Sequence, residues 1–495
     1  MTISTESTTA TISIRRRLIL KNFLSLLAGG LVERVINLFT SVYARRVLGV
    51  IAIGQVSWAG SVVSYFELLV NPGFQVIAKR EVARDPDRAE HYVMLLALLQ
   101  GILAALSFGL AVAFTLVVPR PAEVRLLIIL YALGLFLKPL DLSWLLQAHE
   151  RMMPLAAASA VSSVLHALSM ILLVHEPAHV VRYVLLAYPF RLGLYGFMLY
   201  YGLRYRLLDW HSLRPTLIGG WNLLHSALPI GLSQVAILLY YNSDAIFLGF
   251  THGDEVVGLY STAYNLMLVP NMLLAGAMLS AYFPALSRVA RDADNARRVS
   301  GEFLKAMVWL GFPIAALGWA LGRHVIVFLF GQGFAPAGPL FEWLSLNTAL
   351  IFFNVGYNQP LNAWNAQKLV FYCTLAGAIS NVAANVILIP RFGPWGAVAT
   401  TILAELVVMI STIWMRRSLY SLNWHRTLLA GIAVALPTAI VTRLLNTQIH
   451  WCISATVGLV MYGIGVIAFE KQNVLMLYSR VVKREYCRYV GNEQR

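Results

Sequence analysis

From Leu18 to Phe469 the chain is a succession of apolar runs, each about 20 residues long, separated by short charged or Pro/Gly-bearing joints. A run of that length, coiled at ~1.5 Å per residue, crosses the ~30 Å hydrocarbon core of a bilayer. In lipid, backbone N–H and C=O groups must be satisfied by the chain itself. Repeated runs of this kind therefore leave an all-α polytopic membrane protein as the fold class. Composition agrees, with 59% of the 495 residues hydrophobic and 12% charged, against roughly 25% charged in a soluble domain. The runs predict about 14 transmembrane helices, near 18–44, 53–77, 92–118, 124–147, 153–174, 180–203, 218–250, 256–286, 303–330, 339–364, 369–389, 395–415, 427–445 and 449–469. Residues Met1 to Ile14, rich in Ser and Thr, read as an irregular tail. No secretory cleavage signal follows Arg15-Arg16-Arg17, so the first run is expected to stay in the protein.

The stretch Trp221 to Leu266 restarts the pattern of the first. Leu48-Gly49 followed by Gly54 returns as Leu248-Gly249 followed by Gly258, and VARDPD (Val82 to Asp87) returns as VARDAD (Val289 to Asp294). The offset grows from 200 to 204 to 207, as small loop insertions would make it. Six helices separate the two copies, so they run in the same direction across the membrane, an arrangement used by transporters. The expected organisation is a tail (1–17), an N-lobe of helices 1–6 (18–214), a C-lobe of helices 7–12 (215–418), two added helices (419–470) and a basic tail (471–495).

Of 38 Lys and Arg, 27 fall in or beside the loops and tails on one face, six in or beside those on the other, and five deeper within runs. By the positive-inside rule the rich face, with both termini, is cytoplasmic, as expected of a multi-pass membrane protein. The same asymmetry accounts for most of the +15 net charge without nucleic acid as a partner. Cys373, Cys452 and Cys487 are scattered and predict no disulfide framework.

No catalytic constellation is visible: Walker A, dinucleotide and clustered Cys/His patterns are absent, and no cofactor or metal is implied. Asp85-Pro-Asp87 and Asp292-Ala-Asp294 match the DxD pair of glycosyltransferases, but sit in short Arg-flanked loops and read as cytoplasmic elbows. His166, His225 and His324 are scattered and read as packing groups. Charges inside spans say more, since each costs about 2.5–3.5 kcal/mol at a helix centre and must face a polar interior. Arg34 cannot be neutralised by adjacent Glu33, about 100° round the helix, and is expected either to meet substrate or to bridge to Glu67. Arg191, after Pro189 and without an acid three or four residues away, is a second substrate-binding candidate. Lys138 and Asp141, three apart, are expected to form a structural pair across Pro139. Asp244, beside Asn242 and far in sequence from any cation, is the leading ion-coupling candidate, with Glu67 and Glu405.

The stretches KNFLSLLAGGLVERVINLFTSVYARRVLG, NPGFQVIAKREVARD, ALPIGLSQVAILLYYNSDAIFLG, VGLYSTAYNL and NVILIPRFGPWGAVATTILAEL resemble a known family. They are similar to the bacterial polysaccharide, or O-antigen, flippases of the multidrug/oligosaccharidyl-lipid/polysaccharide exporter superfamily. The resemblance covers nearly the whole chain. It implies two six-helix lobes around a central cavity, with two further helices in longer members. It also implies that a polyprenyl-diphosphate-linked glycan passes from the cytoplasmic to the periplasmic leaflet, with membrane lipids, a polysaccharide polymerase and export machinery as further partners. Related lipid II flippases line their cavity with arginines, some in the first helix. Arg34 and Arg45 match these in kind. A multidrug exporter of the same superfamily, or a membrane glycosyltransferase or polymerase, is the alternative. The first should carry an acid-lined cavity and the second a long periplasmic loop.

Overall fold

The computed structural model describes residues 3–290, 292–417 and 422–470. The basic tail expected over 471–495 lies outside them. Among the described residues, eleven helical segments are long and apolar enough to cross a membrane. The first of these is two helices joined across Gly49, whose φ of 77° and ψ of 178° lie in a region open only to glycine. We label its parts α1 (3–48) and α2 (50–70). There follow α3 (Ala89–Val117), α4 (Ala122–Leu133), α5 (Met152–Leu173), α6 (Val180–Arg204), α7 (Gly220–His252) and α8 (Asp254–Arg288). The last six are α9 (Ala293–Phe330), α10 (Ala337–Ala363), α11 (Gln367–Phe392), α12 (Pro394–Arg416), α13 (Trp424–Leu445) and α14 (Trp451–Glu470). The more polar α6 and α10 complete the expected fourteen. The helix of α1 begins at Ile3, inside the stretch read as an irregular tail. Extending an existing helix avoids the cost of a new nucleus, which offsets the poor propensity of Ser and Thr.

Several expected spans are broken, each at an identifiable residue. Asn71-Pro72-Gly73 ends α2 short of the run 53–77, and a separate helix, Phe74–Arg84, follows. It buries Phe74, Ile77, Ala78 and Val82 in a cluster with Leu95, Leu96, Trp144 and Leu145, and leaves Arg80 and Arg84 outside. After α4 the backbone tightens to a 3₁₀ turn over Gly134–Leu140, as Pro139 removes a helical donor, and then resumes as Ser143–Ala148. Asn271–Ala275 in α8 is a π segment directly after Pro270. The first acid of each DxD pair has a local duty. Asp85 binds Arg88 at 2.8 Å, and Asp292 accepts from the Asn295 backbone N–H at 3.1 Å and its side-chain amide at 2.6 Å. Those two donors hold the Asp292 carboxyl below the usual carboxylate range.

Two compact units emerge. The first comprises residues up to Thr262 with Leu329–Pro336 and Thr374–Ala404. Within it the repeated glycines meet. A Cβ on Gly54 would collide with the backbone carbonyl of Asp254, and one on Gly258 with that of Val50. Val50 and Asp254 differ by the same 204 residues as Gly54 and Gly258, so the contact is reciprocal. The second unit comprises Ala263–Phe328, Ala337–Cys373 and the described residues from Glu405. Its core joins Phe312, Phe353, Tyr357, Val434 and Tyr462.

The loop charges predict a sidedness that a reporter can read. A periplasm-active phosphatase fused after Gln448 is expected to be active, and one fused after Lys368 silent. The reverse pattern would overturn the orientation.

Candidate functional site

α7 carries Ser243 and Asp244 into the interior of the first unit, where Asp244 is only 2% exposed. Three neighbouring helices answer it. Tyr260 of α8 donates its hydroxyl to Asp244 Oδ2 at 2.5 Å, and Thr401 of α12 donates to the same oxygen at 2.9 Å. Asn385 of α11 donates its amide to Asp244 Oδ1 at 2.6 Å. Ser243 donates to Asn381 Oδ1 at 2.9 Å. Every one of these donors is neutral, and none of the ion pairs among the described residues includes Asp244. Hydrogen bonds satisfy the lone pairs but leave net charge, and an unpaired charge in a low-dielectric interior costs several kcal/mol. The buried Asn385 Oδ1 is also without a hydrogen-bond partner among the described residues. With Thr401 Oγ1 and Asn381 Oδ1 nearby, the cluster is rich in hard oxygen donors. Such a set can hold a proton or a small cation.

Arg191 of α6 forms a second centre. Its side chain is exposed in the middle of a span and makes neither a hydrogen bond nor an ion pair among the described residues. Its charge reaches Tyr131, Tyr188, Tyr195 and His166. The fields of Asp141 and Glu67 reach the same Tyr195, so these groups share one polar neighbourhood.

The remaining candidates divide. Lys138 pairs with Glu67, not with Asp141. Asp141 has left the helix with ψ of 101° and accepts the Ser143 N–H at 2.9 Å, so it starts the next helix instead. Glu67 is thereby committed to Lys138 and does not bridge to Arg34. Arg34 lies exposed on α1. Arg45 turns inward: it is buried, donates through Nε to Thr262 Oγ1 at 3.1 Å and through Nη1 to Ser41, and lies 5.6 Å from the Phe330 ring. In the second unit the buried Glu405 accepts the Asn354 amide at 2.6 Å.

Sequence reasoning missed Tyr260, Asn381, Asn385 and Thr401. The signal for two of them was present, since Asn381 and Asn385 are four apart and present both amides on one helix face. It also counted Arg120 only among the six loop charges of the Lys/Arg-poor face. Arg120 in fact packs over Trp58 at 4.5 Å, pairs with Asp254 and donates to the Gly249 carbonyl at 2.6 Å. It therefore fastens the glycine contact between α2 and α8.

An all-helical membrane fold with polar groups set into its spans defines a transporter-like class. The solved structure of "Lipid II flippase MurJ, inward closed conformation" superposes on it with a TM-score of 0.76 at 13% identity, covering 91% of this chain and 99% of that one. A multidrug resistance MATE family transporter of the MOP superfamily, in an outward-facing conformation, gives 0.56 at 16% identity over 80% and 95%. The chain belongs to the family described as "Polysaccharide biosynthesis protein", matched over residues 19–290. The putative O-antigen transporter of Shigella dysenteriae is 22% identical over 74% of this chain and 92% of its own length. An uncharacterized membrane protein of Methanocaldococcus jannaschii is 27% identical over 35% of this chain and 36% of its own. The succinoglycan biosynthesis transport protein ExoT of Rhizobium meliloti is 23% identical over 31% of each. The chain thus aligns with about a third of the length of these last two relatives.

Proposed function

We propose that the protein is a flippase that moves a polyprenyl-diphosphate-linked oligosaccharide from the cytoplasmic to the periplasmic leaflet by alternating access. The repeats over 18–214 and 215–418 serve as the two moving lobes. The observation that carries the reading is Arg191: an exposed guanidinium in mid-span, without a carboxylate partner among the described residues. A diphosphate is the anion that such a group recognises, because the planar guanidinium fork donates two parallel hydrogen bonds to phosphate oxygens. Tyrosines and His166 around it offer hydroxyl and ring surfaces suited to sugar. Arg34 is assigned the same role on α1, and Arg45, committed to Thr262 and Ser41, a structural one. Asp244 and its neutral donors are assigned to the coupling ion, with Glu405 held to Asn354 as part of the packing of the second unit. An unpaired arginine also disfavours a multidrug exporter, whose cationic substrates it would repel.

The test is glycan display in a deletion strain complemented with variants. Arg191→Ala should cut surface glycan about tenfold or more, the range expected for losing a charge-assisted pair of hydrogen bonds. Arg191→Lys should fall between, as the charge is kept and the fork lost. Protein level should not change, because the side chain is exposed. Full display with Arg191→Ala would remove the phosphate role, and drug hypersensitivity of the deletion strain with intact glycan would replace it by drug export.

A further inference from the structure

In the second unit an apolar groove of about 350 Å³ runs between α9, α10 and α13. Its floor is made of small side chains, Ala315, Ala349 and Ala435 among them, and its rim of Trp319 and the half-exposed Trp343. Five of its eleven lining residues are alanines, which leave a furrow that bulkier side chains would have closed. The groove ends in charge. Glu342 of α10, 7% exposed, is shared by Arg323 Nε at 3.3 Å and Arg443 Nη2 at 3.5 Å, and those arginine side chains are 61% and 39% exposed. Arg443 also lies 4.3 Å from the centre of the Trp319 ring and donates to the Trp319 carbonyl at 3.1 Å. A Cβ on Gly338 would strike Arg323, and one on Gly322 would strike Glu342, so close helix packing fixes the cluster.

Two features identify the occupant. The cluster carries two positive charges and one negative, so one positive charge is left over and faces outward. It also stands near the ends of α9 and α13, on the side of the arginine-poor loops; Arg443 is two residues from the end of α13 and Arg323 about 10 Å from the end of α9. That is headgroup depth, and tryptophans at this depth are the membrane's interfacial anchors.

We infer that the groove is a binding site for an anionic phospholipid of the periplasmic-side leaflet. One acyl chain lies along the alanines, and the phosphate is held by Arg323 and Arg443. The site is independent of the transported substrate, and the inference does not rest on the flippase reading. Each arginine near a membrane surface contributes about 1 kcal/mol toward an anionic headgroup, which is roughly fivefold in affinity.

The full chain reconstituted in vesicles tests this, with acyl-brominated phosphatidylglycerol and phosphatidylcholine as competing probes. Quenching of the fluorescence contributed by Trp319 and Trp343 is obtained as the difference from the double Phe variant. Phosphatidylglycerol is expected to be preferred at these tryptophans, with Arg443→Gln lowering the preference about fivefold. Glu342→Gln frees both arginines and should raise the preference while leaving the groove intact. Ala435→Phe fills the groove and should abolish quenching by either lipid, without touching a charge. Equal quenching by the two lipids in the wild type would overturn the site, as would quenching unaffected by Ala435→Phe. Displacement of phosphatidylglycerol by polyprenyl phosphate at lower concentration would reassign the groove to the substrate tail and defeat the inference. If glycerophosphoglycerol, the headgroup without chains, competes as well as the lipid, the groove plays no part and the inference also fails.

Discussion

Asp244→Asn is expected to yield a protein that accumulates normally and transports without responding to an imposed proton or sodium gradient. Asparagine keeps the shape of the carboxyl and removes its charge. The neighbours can accommodate the new amide. Tyr260 and Thr401 carry hydroxyls that rotate, and Asn385 already has a buried carbonyl oxygen, without a partner among the described residues, that can accept from it. What the variant loses is the reason for a proton or cation to enter. Asp244→Leu separates coupling from folding. It takes the shared acceptor from Tyr260, Thr401 and Asn385, which keep one another, the Ala397 carbonyl and Asn381 as remaining partners, and a polar group left under-satisfied costs about 1–3 kcal/mol. Folded yield should then fall, since even one such loss is a sizeable part of a typical stability of about 5–15 kcal/mol. The measurement is uptake of a fluorescent polyprenyl-diphosphate oligosaccharide in proteoliposomes under each gradient, with folded yield read by size exclusion. An Asp244→Asn protein that still follows either gradient as wild type does would make Asp244 a purely structural acid.

The fold was legible in the sequence because apolar length and glycine landmarks are local signals. Fourteen helices could be read from residue type alone. The breaks were harder, because Pro72-Gly73 and Pro139 interrupt runs that remain apolar on both sides, and hydropathy does not register a lost N–H. The site was legible one residue at a time. Asp244 stood out by its charge, but its partners Tyr260, Asn385 and Thr401 lie 16, 141 and 157 residues away, and nothing local links them. Pairing failed for the same reason. Lys138 had an acid three residues on, yet the 3₁₀ turn ending at Leu140 turned Asp141 toward Ser143, and Glu67 of α2 took the lysine. Arg120 looked like a loop charge because it lies at a span end, where only the fold decides whether an arginine faces water or a tryptophan ring.

Gly54→Val and Gly258→Val are each expected to abolish accumulation of folded protein or, where it inserts, transport. The atoms that a Cβ would strike are the Asp254 and Val50 carbonyls, which belong to helix backbone and cannot swing aside as a side-chain tip can. To admit even one methyl group α2 and α8 must separate, so Gly→Ala should already cost about 1–3 kcal/mol as overpacking, and valine more. Separation also pulls on the bond between Arg120 and Asp254 and on the Trp58 ring beneath that guanidinium. Glycine here serves approach, not flexibility, and a control shows the difference. Gly109 in α3 has no heavy atom within 4 Å of a built Cβ, so Gly109→Ala should be neutral or stabilising by up to about 1 kcal/mol through helix propensity. Since Gly54 and Gly258 make reciprocal halves of one contact, the double Gly54→Ala/Gly258→Ala variant should cost less than the sum of the singles. One outward shift of the helices relieves both collisions, and neighbouring substitutions that share a backbone displacement are not additive. Thermal unfolding of the singles, the double and Gly109→Ala in one detergent checks all of this. Alanine at Gly54 or Gly258 behaving like alanine at Gly109 would mean that α2 and α8 do not touch there.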